Sequence, residues 1–169
     1  MSKKALFLDR DGVINIDYGY VHKIDDFKFS DGIFDILRYF QNRDYYIFIL
    51  TNQSGIERGY YTINDYQILT SWMLEELEKE SILIDKVLFC PYLTGKKSIC
   101  RKPNRGMVDD ILNDFDVDLS SSIMVGDKAS DIDMALNVGI EETIFINKEP
   151  LGREYLHFKT VKEYKKYLC

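Results

Sequence analysis

At 169 residues, with 46% hydrophobic and 30% charged side chains and only 3 prolines, the chain has the makeup of one globular domain spanning residues 1–169, with a substantial core and little linker. Its formal charge of -6 speaks against nucleic acid or an anionic membrane as partner and requires a local basic pocket for any anionic ligand. No apolar run approaches the roughly 20 residues of a membrane span, and Met1-Ser2-Lys3-Lys4 leads straight into a strand-like run without a signal-peptide pattern, so a soluble, cytoplasmic monomer is expected.

The first apolar run, Ala5 to Leu8, reads as a buried strand. It ends in Asp9-Arg10-Asp11-Gly12, two carboxylates two residues apart where the chain leaves the strand and a glycine permits a sharp turn. Such a pair can share a metal, with one carboxylate attacking phosphorus and the other handling the leaving group's proton. Asp-Gly between apolar runs fits a hairpin equally well.

Ile33, Ile36, Leu37 and Phe40 follow at helical spacing, and Tyr46 to Leu50 reads as a second strand. Thr51-Asn52-Gln53-Ser54-Gly55 comes directly after it. This cluster of hydroxyl and amide donors suits a phosphate oxygen, or is simply a polar loop. Thr62 with Asp65 resembles the start of the next helix, which carries Tyr66, Leu69, Met73 and Leu77. Val87 to Phe89 is a third strand.

Arg101-Lys102-Pro103 precedes a helix marked by Val108, Ile111 and Leu112. The proline biases Lys102 toward extended backbone, and a cation held there can neutralise charge on a transferring phosphoryl group; a solvated basic turn is the plainer alternative. A fourth strand, Ile123 to Val125, ends in Gly126-Asp127-Lys128. Asp127 can complete a metal site, or merely cap the helix of Ile132, Ala135 and Leu136, with Asp131 in its first turn. Gly139 marks that helix's end, Thr143 to Ile146 is a fifth strand, and Val161 to Leu168 a closing helix.

Strands alternating with helices of this length predict an α/β, doubly wound parallel sheet covered on both faces, whose ligands gather at the carboxyl ends of the strands. Three of the four polar clusters fall there.

Taken together, Phe7-Leu8-Asp9-Arg10-Asp11-Gly12, Thr51-Asn52-Gln53-Ser54-Gly55-Ile56, Arg101-Lys102-Pro103 and Val125-Gly126-Asp127-Lys128 resemble the four motifs of the haloacid dehalogenase superfamily. The resemblance runs from Ala5 to about Ile146. It implies a magnesium-dependent phosphatase with Asp9 as nucleophile, Asp11 as general acid and then base, and Thr51 and Lys102 stabilising the phosphoryl group. Asp9, the backbone carbonyl of Asp11, and Asp127 would hold Mg2+. Arg10, Asp17, Tyr18, Gly19, Tyr20, Asn52, Gln53, Ser54, Arg101 and Lys128 would contact substrate.

Asp17-Tyr18-Gly19-Tyr20-Val21-His22 and Arg58-Gly59 point further, to the histidinol-phosphatase-like subfamily and to a small phosphorylated sugar. A heptose bisphosphate is expected ahead of histidinol phosphate or another sugar or nucleotide phosphate. A non-catalytic phosphate-binding module is the rival class, but it would not need both Asp9 and Asp11, and their joint presence argues for an enzyme. The stretch between the first two motifs has no room for a large cap domain, so Tyr18 and Tyr20 are expected to wall the pocket, and Arg101 and Arg105 to read a second phosphate.

The chain departs from the subfamily in one respect. Where many members carry Cys-x-His and Cys-x-Cys as zinc ligands, the matching positions are Cys90, Tyr92, Ser98 and Cys100. Two thiolates do not complete a four-coordinate site, so no structural zinc is expected. With only Cys90, Cys100 and Cys169, no structural disulfide is expected either. His22 and His157 are expected to be a loop contact and a surface residue.

Overall fold

The computed structural model describes residues 2–95, 98–152 and 155–168; Cys169 lies outside them. Six strands form one parallel sheet in the order β3-β2-β1-β4-β5-β6: β1 Ala5–Leu8, β2 Tyr46–Asn52, β3 Lys86–Cys90, β4 Ile123–Gly126, β5 Glu142–Ile146 and β6 Leu156–Phe158. Among the described residues, five α-helices connect or flank them: α1 Ile33–Gln41, α2 Ile63–Lys79, α3 Gly106–Asp114, α4 Ala129–Val138 and α5 Val161–Leu168. The doubly wound expectation holds, and β6 is an addition to it.

Two cores follow from the period-2 alternation of side chains along each strand. Leu6, Leu8, Ile47, Ile49, Ile123, Val125, Ile144 and Ile146 face one way, against α1, α2 and α5. Ala5, Phe7, Phe48, Leu50 and Met124 face the other, against α3 and α4. With both faces covered, the central strands are apolar throughout, as parallel strands must be. All four residues of β1 are fully buried.

Sequence signals set the helix ends. Thr62 and Asp65 form a reciprocal capping box at the start of α2. At the end of α4, Gly139 takes the left-handed conformation at φ 92°, and Gly139 and Ile140 donate back to Leu136 and Ala135, closing the helix as glycine permits.

The strand order reverses between β1 and β4, so the crevice of an open α/β sheet opens at their carboxyl ends. Asp9 leaves β1 there and Asp127 leaves β4. The hairpin alternative for Asp11-Gly12 is excluded, because β1 pairs in parallel with β2 and β4. After Gly12 the chain folds back as a turn, with the amides of Val13, Ile14 and Asn15 all donating to the Arg10 carbonyl.

Candidate active site

The Asp9 amide donates to the Val125 carbonyl at 3.0 Å, tying the start of the turn after β1 to the neighbouring strand. Lys102 reaches in from the loop before α3. Its Nζ lies 2.7 Å from Asp9 Oδ1 and 2.7 Å from Asp131 Oδ1, and donates to the Leu50 carbonyl at 2.6 Å. Asn52 fixes the backbone of Lys102 from both sides, accepting from its amide at 3.1 Å and donating to its carbonyl at 3.2 Å. Lys102, Asp9 and Asp131 are all buried.

Asp131 was assigned only a place in the first turn of its helix by sequence. The structure gives it a larger part. One oxygen meets Lys102, and the other accepts from the amides of Asp127 and Lys128 at 3.1 and 3.0 Å. Gly126 makes this fit possible, since a Cβ there would come within 2.2 Å of the Asp131 Cβ. The four-residue spacing from Asp127 to Asp131 was the available signal.

Single oxygens of Asp9, Asp127 and Asp131 lie within 4.8 Å of one another. Both Asp131 oxygens already have partners, so it serves better as a strut than as a ligand. Asp127 differs: its Oδ1 is buried without any hydrogen-bond partner. Burial first, then the charge of Asp9, pushes the Asp127 carboxyl up to about 9. Burial likewise raises Asp9, with the Lys102 cation opposing it. Lys102 itself is held above its ordinary value, because Asp131 and Asp9 together outweigh the effect of burial. Burial and the neighbouring Asp131 charge outweigh the Lys102 cation at Asp9. Carboxylate oxygens crowded this way, one of them orphaned, fit a hard dication such as Mg2+.

Asp11 sits at the mouth of this centre. Its carboxylate accepts from Arg10 Nη2 at 2.9 and 3.0 Å, from Asn15 Nδ2 at 3.0 Å and from Gln53 Nε2 at 2.9 Å. The turn is tight: a Cβ on Gly12, whose φ is 92°, would come within 2.2 Å of Asp127 Oδ2. Thr51 is buried at the end of β2, with its hydroxyl 2.8 Å from Gln53 Nε2.

A cavity of about 290 Å³ lies against Asp11 and Gln53. Asp11, Asp17, Gly19, Tyr20, Asn52, Gln53, Ser54, Arg101 and Lys128 line it, all of them expected from sequence. Tyr61 and Ser130 line it as well and were not foreseen. Asp17 accepts from the Gly19 amide at 2.8 Å and lies 3.5 Å from Lys128 Nζ. The Lys128 cation is strengthened by Asp127, Asp9 and Asp17 against its partial burial.

Some expected residues lie elsewhere. Arg10 is 1% exposed, with its guanidinium on Asp11 and on the Val21 carbonyl at 2.7 Å, so it braces the turn from behind the cavity. Tyr18 is 63% exposed and is not part of the lining of the cavity to which Tyr20 contributes. Arg105 pairs with Asp109 at 2.8 Å and belongs to a separate cavity of about 580 Å³. That cavity is larger but holds none of the groups at the strand ends. Cys90 and Cys100 are joined in a disulfide, contrary to the expectation of free thiols: the fold brings the end of β3 and the residue before Arg101 to a Cα separation of 5.4 Å, within reach of a bridge. His22 stacks on Tyr61, and His157 sits in β6 with Nε2 2.7 Å from the Asn147 carbonyl.

A family model described as polynucleotide kinase 3 phosphatase matches residues 7–163. The D-glycero-alpha-D-manno-heptose-1,7-bisphosphate 7-phosphatase of Campylobacter jejuni is 51% identical over 96% of this chain and 94% of its own length. The D-glycero-beta-D-manno-heptose-1,7-bisphosphate 7-phosphatase of Haemophilus ducreyi is 42% identical over 86% and 84%. Among solved structures, a D,D-heptose 1,7-bisphosphate phosphatase from B. bronchiseptica complexed with magnesium and phosphate superposes with a TM-score of 0.82 at 25% identity, covering 98% of this chain and 97% of that one. A match that spans nearly the whole sequence, joined to this arrangement of strand ends, leads to one conclusion: the chain belongs to the polynucleotide kinase 3 phosphatase family of haloacid dehalogenase-type phosphatases, in company with the heptose-1,7-bisphosphate 7-phosphatases.

Proposed function

We propose that this enzyme, a phosphoric monoester hydrolase, removes the 7-phosphate of D-glycero-D-manno-heptose 1,7-bisphosphate and prefers the α anomer. The observation that carries the chemistry is the buried Asp9–Lys102–Asp131 network at the strand ends, two residues along the chain from Asp11, which lines a cavity together with Arg101 and Lys128. The α preference is supported by the names of two relatives, at 51% and 44% identity, where the β-specific names fall at 42% and below.

Lys102 engages one Asp9 oxygen and fixes the carboxylate. An Asp9 oxygen bonds to phosphorus as the bond to the sugar's C7 oxygen breaks, and Asp11 delivers a proton to that departing oxygen. Water then attacks phosphorus, Asp11 takes its proton, and the Asp9–phosphorus bond breaks to release phosphate. The Thr51 hydroxyl and the Lys102 ammonium face the phosphoryl oxygens, where charge must be offset. Asp9, Asp127 and the Asp11 carbonyl would hold Mg2+, which supplies charge neutralisation between the carboxylates and the phosphoryl group.

The second phosphate falls to Arg101 at the cavity's rim. Burial and the nearby Arg58 cation hold the Arg101 guanidinium below its ordinary value, and an anion between the two arginines would relieve that repulsion.

Phosphate release from both heptose anomers, histidinol phosphate and common sugar phosphates, with and without magnesium, tests the reading. Magnesium-dependent turnover selective for the α-heptose bisphosphate, abolished in Asp9→Asn, is expected. Selectivity for histidinol phosphate would refute the substrate, and wild-type activity in Asp9→Asn would refute the covalent mechanism.

A further inference from the structure

A chain of hydrogen bonds leads from Asp11 to a residue outside all four motifs. Gln53 Nε2 donates to Asp11 Oδ2 at 2.9 Å and to Thr51 Oγ1 at 2.8 Å. On the other side of the same amide, the Tyr61 hydroxyl donates to Gln53 Oε1. With Asp11 ionised, the directions follow from the donors and acceptors present. A carboxylate only accepts, so the amide must turn its nitrogen toward Asp11, leaving its oxygen toward Tyr61 as acceptor. Asp11 sets which way the amide faces, and the Tyr61 donor holds its oxygen from the other side, so that the Gln53 side chain is fixed between the two.

The tyrosine is itself held. His22 stacks on its ring with centroids 4.9 Å apart and planes 7° off parallel. On its edge lies Gly55, where a Cβ would come within 2.2 Å of Tyr61 Cε1. Burial pushes the Tyr61 hydroxyl up to about 12, so it keeps its proton in neutral solution.

We infer that Tyr61 is a positioning residue for the phosphoryl-transfer step, its hydroxyl locking the Gln53 amide so that Gln53 aims both Asp11 and Thr51. This rests on the proposed acid–base part of Asp11. It also gives a reason for two contacts that otherwise look incidental, the His22 stack and the Gly55 backbone against the ring.

Tyr61→Phe keeps the ring and the stack and removes only the donor. With heptose 1,7-bisphosphate as substrate, kcat should fall roughly three- to tenfold with KM unchanged, the size of one lost hydrogen bond to a neutral group. In a Gln53→Ala background the same substitution should cause no further loss, because the lock has nothing left to hold. An equal loss in both backgrounds, as general destabilisation of the fold would produce, overturns the inference. So does an unchanged kcat, or a rise in KM alone, which would make Tyr61 a sugar contact. Asp11→Asn separates this from the underlying reading: if it retains wild-type turnover, the acid–base reading fails and takes the inference with it. If it is inactive while Tyr61→Phe is indistinguishable from wild type, only the positioning inference falls.

Discussion

Lys102 Nζ sits 2.7 Å from Asp9 Oδ1 with both side chains almost fully buried, so a residue from the loop before α3 determines the charge environment of the residue that ends β1. Removing it strands Asp9 and Asp131 in a low-dielectric interior. Lys102→Met should therefore abolish turnover and destabilise the metal-free protein by about 3–5 kcal/mol, the usual cost of breaking a buried pair from one side. Lys102→Arg should not rescue activity, since a planar fork cannot take the place of a compact ammonium that meets two carboxylates and the Leu50 carbonyl. Chemical denaturation and phosphate release check both statements.

The raised Asp127 carboxyl makes stability depend on pH in a specific direction. Its folded-state value, about 9, lies above the ordinary carboxylate value near 4, so between those limits the folded chain holds more protons than the unfolded one. Metal-free protein should then lose stability as pH rises through that window. Magnesium favours the ionised form, so the rise in melting temperature it causes should grow from pH 5.5 to pH 8.5. A thermal-melting series with EDTA or magnesium at each pH measures this, and a magnesium effect that shrinks with rising pH would contradict it.

Arg101 and Arg105 are both expected from sequence to read the second phosphate, and the fold separates them. Arg101 lines the cavity of the candidate site, while Arg105 is paired with Asp109 and lines a separate cavity. Arg101→Ala should lower kcat/KM for a heptose bisphosphate by about tenfold or more, the scale of a lost charge-assisted contact, and lower that for monophosphates much less. Arg105→Ala should change neither ratio. Parallel assays of the two substrate types decide it.

How much of this was legible beforehand depended on what each residue answers to. Buried parallel strands read as apolar runs because both faces are covered, so β1 through β5 and all five helices were visible. β6 was not: it is three residues long, sits at the sheet edge and leaves Leu156 exposed, so it has no apolar run. The polar clusters at the strand ends marked the site, since local sequence dictates chemistry there. What stayed hidden was everything set by approach across the fold. Arg10 looks like a substrate contact beside two carboxylates, yet its burial is decided by the Val21 carbonyl. Tyr61 meets Gln53 only because the loop after β2 folds back over Gly55.

The disulfide between Cys90 and Cys100 belongs to that hidden class, and it gives a last prediction. It closes a loop of ten residues of separation that ends one residue before Arg101, the same loop that is tied down by Glu57 accepting from the Leu93 amide and by Arg101 donating to the Tyr92 carbonyl. Closing a loop of this length restricts the unfolded chain by roughly 3 kcal/mol in the chain-entropy account. Cys100→Ser should therefore lower the melting temperature of oxidised protein, and a thiol reductant should lower that of the wild type but not of the variant. Because Arg101 and Lys102 follow immediately, the same treatment should loosen substrate binding, raising KM more than it lowers kcat. Thiol titration of the denatured protein without reductant should find fewer than the 3 cysteines of the sequence; finding all 3 free would show that the loop is held by its hydrogen bonds alone.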